Sequence, residues 1–293
     1  MHKALLYQKL NNNRAQCGLC RHRCIIDDGK RGICGVRENK KGELYSLVYG
    51  RIIAEHIDPI EKKPLYHFLP GSFSLSIATV GCNFRCLNCQ NAEISQISKE
   101  NPKDVEIFGE EVSAEKIVRD ALDSGCPSIS YTYTEPTIFF EFALDCMKLA
   151  KKKGLKNVWV SNGYMSKEAL EIISPYLDAT NIDLKAFSDK FYQEICGARL
   201  EPVLENLKEI KKRKIHLEVT TLIIPQKNDS EKELKAIAEF IKKELGRDVP
   251  WHVSRFFPHY KLSHLQPTPI EKVLRAVEIG KESGLQYVYP GNI

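Results

Sequence analysis

The sequence predicts an α/β fold: a partial or nearly closed (β/α)6-type TIM-like barrel with a small Cys-rich subdomain at its N-terminus. Three observations predict it. From residue 72 onward, short β-branched runs alternate with amphipathic helical stretches, as a parallel sheet with helical crossovers requires. The 71 residues before that point carry clustered cysteines and little periodicity. No second set of alternating units, low-complexity linker or G-x-G-x-x-G fingerprint divides the array into two Rossmann halves.

The N-terminal segment, residues 1–71, opens with the spaced cysteines 17, 20, 24 and 34. Two strand-like runs follow, 44–49 and 51–54, and then DPIEKKPLYHFLPG, whose three prolines predict an extended, irregular segment. Residues 72–293 form the barrel domain. Its strands are predicted at 74–80, 128–133, 157–160, 179–184, 216–223 and 251–256, with 287–289 as a short seventh. Helices are predicted at 114–122, 137–152, 166–174, 201–212, 230–245 and 269–283, where apolar residues recur at i, i+3 and i+4. Glycines 125, 154, 246 and 284 stand where several of these helices stop.

Composition narrows the function classes. The 293 residues include 43 basic and 38 acidic side chains, a net charge of +5, and 43% are hydrophobic. A disordered or fibrous protein is excluded. No window approaches the ~18 consecutive apolar residues of a membrane span, and MHKALLYQKLNNNR lacks a signal-peptide core, so the expected location is the cytoplasm, with no membrane partner. The basic residues are scattered among glutamates, which argues against a nucleic-acid partner.

The ten cysteines carry the chemistry. In a reducing compartment, cysteines at short spacing point to metal or catalysis rather than to disulfides. Cys17, Cys20, Cys24 and Cys34 form C-x2-C-x3-C-x9-C, and Cys82, Cys86 and Cys89 form C-x3-C-x2-C in GCNFRCLNCQN. Cys126, Cys146 and Cys196 are isolated and read as small buried hydrophobes, although Cys196 follows a predicted barrel strand and could face a site. The loop of Cys82, Cys86 and Cys89 follows the first barrel strand, at the end where such barrels place their active sites. Three thiolates can hold three corners of a cubane iron-sulfur cluster and leave one iron open for reaction. The competing reading is a zinc site completed by a distant histidine.

At these residues the sequence resembles the radical S-adenosylmethionine superfamily. More narrowly, it is similar to pyruvate formate-lyase activating enzyme relatives of the AmmeMemoRadiSam branch. The runs that carry the likeness are CNFRCLNCQN, YTYTEPTIFFE, VSNG, NIDLKAF, DPIEKKPL and the N-terminal cysteine pattern ending CGVR. The resemblance implies a 4Fe-4S cluster on Cys82, Cys86 and Cys89 and S-adenosyl-L-methionine chelated to its free iron. Reductive cleavage of that cofactor then gives a 5′-deoxyadenosyl radical that abstracts hydrogen from a substrate. The implied partners are an external electron donor of ferredoxin or flavodoxin type and an unidentified substrate, either a protein (glycyl-radical-type activation) or a small metabolite.

Further roles follow from the same resemblance. Thr134 and Glu135 stand where the family has a glycine-glycine-glutamate-proline turn that receives the cofactor's amino group, with Tyr133 and Thr134 replacing the glycines. Ser161 and Asn162 match a threonine-asparagine-glycine, with Asn162 toward ribose or carboxylate. Asp183 and Lys185 share one face of a strand, suiting ribose and carboxylate; a plain interior ion pair is the alternative. Asn88 replaces the aromatic residue that often seats adenine, leaving Phe84 or Leu87 to pack it. His252 is placed at the cofactor and substrate mouth, among Glu218, Thr220, Ser254, Phe256, Arg255, His259 and Tyr260, and Lys62 and Lys63 are expected to approach it. Cys17, Cys20, Cys24 and Cys34 complete a set for zinc or a second cluster, with structural zinc slightly favoured. The function from a different class is a non-catalytic iron-sulfur or zinc protein that binds RNA or transfers electrons. That reading needs four-thiolate sites and a basic face interleaved with aromatics.

Overall fold

The computed structural model of the protein describes residues 1–100 and 107–293. Its centre is an eight-stranded sheet: β1 (Ala54–Pro59), β2 (Phe73–Ala78), β3 (Ser128–Tyr131), β4 (Lys156–Ser161), β5 (Ala179–Asp183), β6 (His216–Ile223), β7 (Trp251–Arg255) and β8 (Val288–Gly291). The strands lie side by side in sequence order. β2 to β8 run parallel, and β1 runs antiparallel to β2. β1 and β8 do not pair with each other, so the barrel is partial among the described residues.

The helices lie close to their predicted spans: α1 (Ala114–Asp123), α2 (Phe140–Lys152), α3 (Lys167–Ile173), α4 (Glu201–Lys212), α5 (Glu231–Phe240) and α6 (Ile270–Glu282). Serine caps start three of them. Ser113, Ser166 and Ser230 accept from the amides of Lys116, Ala169 and Glu233, satisfying N–H groups that the helix leaves open. The predicted stretch 137–152 divides into a 3-10 turn and α2, and 230–245 ends in a π turn after α5. No helix among the described residues is long and apolar enough to cross a membrane.

The sheet begins before residue 72. The 51–54 run breaks at Ile53: Arg51–Ile52 pairs with Glu110–Glu111, and Ala54–Pro59 joins the barrel sheet as an edge strand. Pro59 ends that strand, where its missing N–H breaks no ladder. The remaining N-terminal strands form two small three-stranded sheets that hold the four-cysteine region. Their apolar residues, among them Ala15, Val36 and Leu44, belong to the same core cluster as the barrel. One buried ion pair also joins them: Arg37 donates to both carboxylate oxygens of Glu141 on α2, at 3.2 and 2.8 Å.

Segment 60–68 closes the end of the barrel opposite the strand C-termini through Glu218. This fully buried carboxylate accepts from the amides of Tyr66 and His67 and contacts Nε2 of His216 and His252, at 2.6 to 3.0 Å. An ionised carboxylate only accepts, so both rings present N–H to it. Burial alone would raise the Glu218 carboxyl, but the four donors outweigh it and hold it at about 2, below its ordinary 4.5. A carboxyl depressed on folding contributes stability above its unfolded pKa and loses it as pH falls toward the folded value. The contribution is about 3 kcal/mol above pH 4.5, lost between about pH 4.5 and 2. Urea midpoints across that window should fall more steeply for the native chain than for Glu218→Gln; parallel curves would contradict the assignment.

Candidate active site

At the strand C-termini, a cavity of about 360 Å³ gathers side chains that are far apart in sequence. Cys82, Cys86 and Cys89 all line it. The loop that carries them is fixed by main chain: Arg85 N bonds Cys196 O at 2.8 Å and Leu87 N bonds Ile195 O at 2.9 Å. Gly81 makes its start possible. With φ at +99°, a Cβ there would lie 2.9 Å from the Cys34 carbonyl oxygen, so only glycine fits between the loop and the N-terminal cysteines. The Phe84 amide donates to Cys82 Sγ at 3.3 Å, and Cys89 Sγ lies 2.9 Å from Ser95 Oγ. Burial raises the Cys82 and Cys89 thiols, and Cys86 is raised first by a hydrogen bond with Cys196 and then by burial. Thiolates at this depth therefore need cationic charge beside them.

The opposite wall is built on Glu135. Its buried carboxylate accepts from Thr137 N and Oγ1, from Ser161 Oγ at 2.9 Å and from Asn162 N at 2.9 Å. This web ties the end of β3 to the end of β4, and it leaves Glu135 facing the cavity. Asn162 Nδ2 donates to Asn83 Oδ1 at 2.7 Å, joining that wall to the cysteine loop. At the end of β5, Lys185 Nζ donates to Asp183 Oδ2 at 2.8 Å, and both residues line the cavity. Burial pulls Lys185 down, but Asp183 and the thiols of Cys86 and Cys196 outweigh it and hold the ammonium well above its ordinary value.

The comparisons with known proteins agree with this geometry. Residues 76–241 match the family pattern described as the Radical SAM superfamily. The chain belongs to the radical SAM superfamily. This radical SAM protein is 48% identical, over all of its length and 86% of the relative's, to the uncharacterised protein MJ0808 of Methanocaldococcus jannaschii. It is 23% identical to the pyruvate formate-lyase-activating enzyme of Clostridium pasteurianum, over 62% of this chain and 77% of that one. Among solved structures, Streptococcus suis SuiB bound to the precursor peptide SuiA superposes with a TM-score of 0.56 and 17% identity, over 72% of this chain and 46% of that one. That likeness concerns the fold.

Superfamily members use a 4Fe-4S cluster and S-adenosylmethionine, and the radical SAM cavity fits both groups. Its donor set is three thiols on one loop, one of which already accepts a backbone N–H. Asn88, buried before the third cysteine, has an Oδ1 without a hydrogen-bond partner on the cavity wall, an acceptor available to a ligand N–H. No three metal-donor side chains among the described residues are gathered into a ready metal cage.

The predicted site residues divide by depth. Thr134, Glu135, Ser161, Asn162, Asp183 and Lys185 line the cavity with the three cysteines, as do Phe84, Lys62 and Lys63. His252 does not, and its placement at the mouth is corrected. It shares the interior face of β7 with Ser254, which does line the cavity, but sits one pleat repeat lower, about 6.6 Å along the strand. There its imidazole is held by Glu218 and flanked by Tyr66 and Tyr289. Strand alternation fixes the face of a residue; only the tertiary structure fixes its depth. Arg255, His259 and Tyr260 also lie off the cavity, and the Arg255 guanidinium donates to Thr268 O.

Sequence reasoning missed the support of Tyr133. This residue adopts φ +59°, a conformation costly for a bulky side chain. Its hydroxyl bonds Asp58, which also pairs with Lys62 and Lys63, and Lys63 Nζ lies 4.3 Å from the Tyr133 ring centroid. The Asp-Pro-Ile-Glu-Lys-Lys run was the available signal. The four N-terminal cysteines come into mutual electrostatic reach and are largely buried, without converging on one point.

Proposed function

We propose that this radical SAM enzyme generates a carbon radical on a partner protein by hydrogen abstraction, as an activating enzyme does. The observation that carries the reading is the single cavity shared by three loop cysteines, the Glu135–Ser161–Asn162 web and the Asp183–Lys185 pair. When bound, the cluster and S-adenosylmethionine supply reductive cleavage of the sulfonium and a primary radical that takes a substrate hydrogen. The chain's own residues bind and orient. Cys82, Cys86 and Cys89 hold the cluster. Glu135 accepts from the cofactor's ammonium, Lys185 donates to its carboxylate, and the open acceptor of Asn88 meets the adenine amino group. Burial of Cys82, Cys86 and Glu135 keeps water from this end of the cavity. Lys62, which follows β1, and Asn292, which follows β8, both line the cavity, and β1 and β8 are the two edges of the sheet that do not pair with each other. A gap of that kind admits a chain segment from the side, and the likeness to a pyruvate formate-lyase-activating enzyme supports such a substrate. The four N-terminal thiols take a structural metal in this proposal, and the enzyme works in the cytoplasm, where its thiols stay reduced.

The experiment is anaerobic. After cluster reconstitution, dithionite and S-adenosylmethionine should yield 5′-deoxyadenosine. With a glycyl-radical enzyme carrying deuterated glycine, deuterium should appear in that product. Label arriving only from small metabolites would replace the protein-substrate reading. Lys185→Ala should raise the Kd for S-adenosylmethionine about 10- to 100-fold by titration calorimetry, the loss expected for a charge-assisted bond. An unchanged Kd would leave Lys185 as the ion-pair partner of Asp183 alone.

A further inference from the structure

The cysteine loop borders a second cavity. Cys82, Phe84, Cys86 and Cys89 line the active-site cavity, whereas Arg85, in the middle of the same loop, lines a separate groove of about 670 Å³. The groove runs between this loop and the segment around Cys34. Lys30, Arg31, Arg85 and Lys99 line it, against one carboxylate among the described lining residues, Glu38, which pairs with Arg31 at 3.2 Å. The Lys30 and Arg85 side chains are exposed, and neither forms an ion pair with a carboxylate among the described residues. Among the described residues, the groove rim therefore carries net positive charge.

The floor is rigid. Gly35, at φ +79°, packs so closely that a Cβ would lie 2.6 Å from Ser98 Oγ. Lys99 donates to the carbonyl of Phe84, between two of the loop cysteines, and lies within electrostatic reach of Cys34, Cys82 and Cys86. A partner seated here is therefore a few bonds from the cluster ligands without entering the active-site cavity.

We infer that this basic groove is the docking surface for a small, acidic, low-potential electron-carrier protein. The inference rests on the radical SAM reading, which requires one electron from outside. The donor is oxidised by one electron and the cluster reduced by one, with no atom transferred. The active-site cavity is the place of the cofactor and substrate, so the electron enters by another face of the cysteine loop. The groove is that face, and its charge selects an acidic partner and steers its approach. Single-stranded RNA, the other polyanion of comparable size, is recognised by stacking on aromatic side chains. No described residue lining the groove is aromatic.

The test uses the full chain with reconstituted cluster, its Lys30→Glu/Arg85→Glu variant, and a flavodoxin as probe. Binding of oxidised flavodoxin, followed by flavin fluorescence without S-adenosylmethionine, should weaken with rising salt for the native chain and be about tenfold or more weaker in the variant. Flavodoxin-driven 5′-deoxyadenosine formation should fall about tenfold more than dithionite-driven formation, which needs no docking. Equal flavodoxin binding by both chains, or binding by neither, overturns the docking surface. Tighter binding of a single-stranded RNA probe than of flavodoxin overturns it in favour of nucleic acid. Absence of dithionite-driven product in the native chain, with charge-dependent flavodoxin binding intact, refutes the enzymatic reading instead. A Lys30→Gln/Arg85→Gln variant, intermediate in effect, separates loss of charge from any disturbance of folding.

Discussion

Cys86→Ala should abolish S-adenosylmethionine cleavage while leaving the fold in place. Product should fall by more than about three orders of magnitude, more than about 4 kcal/mol of barrier. Cys86 faces the active-site cavity with Cys82 and Cys89, and two thiolates cannot hold a cluster with one open iron. The loop itself should survive, because its ties to Ile195 and Cys196 run through backbone atoms that the substitution does not touch. The thermal midpoint should move only by the amount of a small buried truncation, about 1–2 kcal/mol. Iron analysis, 5′-deoxyadenosine and a circular-dichroism melt on one preparation read all three quantities. Cys196→Ala is the matched control. It removes the thiol beside Cys86 and should retain iron and cleavage. Cleavage by the Cys86 variant, with Cys196 serving as the third thiolate, would refute the ligand assignment.

The largest loss of stability should come from breaking the Arg37–Glu141 pair. Both side chains are 2% exposed, and the guanidinium also donates to Leu5 O at 2.8 Å while Glu141 accepts from Leu5 N at 2.7 Å. Burial alone would lower the Arg37 pKa, but Glu141 outweighs it and holds the charge in place. Removing one partner strands the other charge in the interior, which costs about 3–5 kcal/mol. Arg37→Met should therefore lower the denaturation midpoint sharply and loosen the N-terminal region from α2. The double replacement Arg37→Met/Glu141→Leu should recover most of the loss, since no buried charge remains unpaired. If the double variant is as unstable as the single one, the pair's hydrogen bonds to Leu5 are what hold the region together.

Much of this protein is legible in its sequence, and the parts that are not share a cause. The βα array, six helix spans and the cysteine loop follow from periodicity and spacing, because side-chain alternation and helical repeat are local properties of the chain. Six residues other than cysteines that are expected at the cofactor follow from motif resemblance at strand ends, and all six line the cavity. His252 shows the limit: its face is correct, but its level in the barrel depends on how β7 is staggered against β6 and on segment 60–68 delivering the Tyr66 and His67 amides to Glu218. The first strand of the sheet, β1 (Ala54–Pro59), is an edge that only β2 specifies, so its proline-containing sequence reads as irregular.

The sequence by itself determined the parallel array, the three-thiol loop and the superfamily. Tertiary structure alone decided which interior side chains reach the cavity, that Cys196 lies beside Cys86, that Tyr133 adopts a left-handed conformation and bonds Asp58, and that basic residues from positions 30 and 85 face one groove. The physical reason is range. Hydrophobic periodicity and metal-ligand spacing are written within a few residues, whereas depth, long-range ion pairing and the convergence of loops are set by the packing of segments that are distant along the chain.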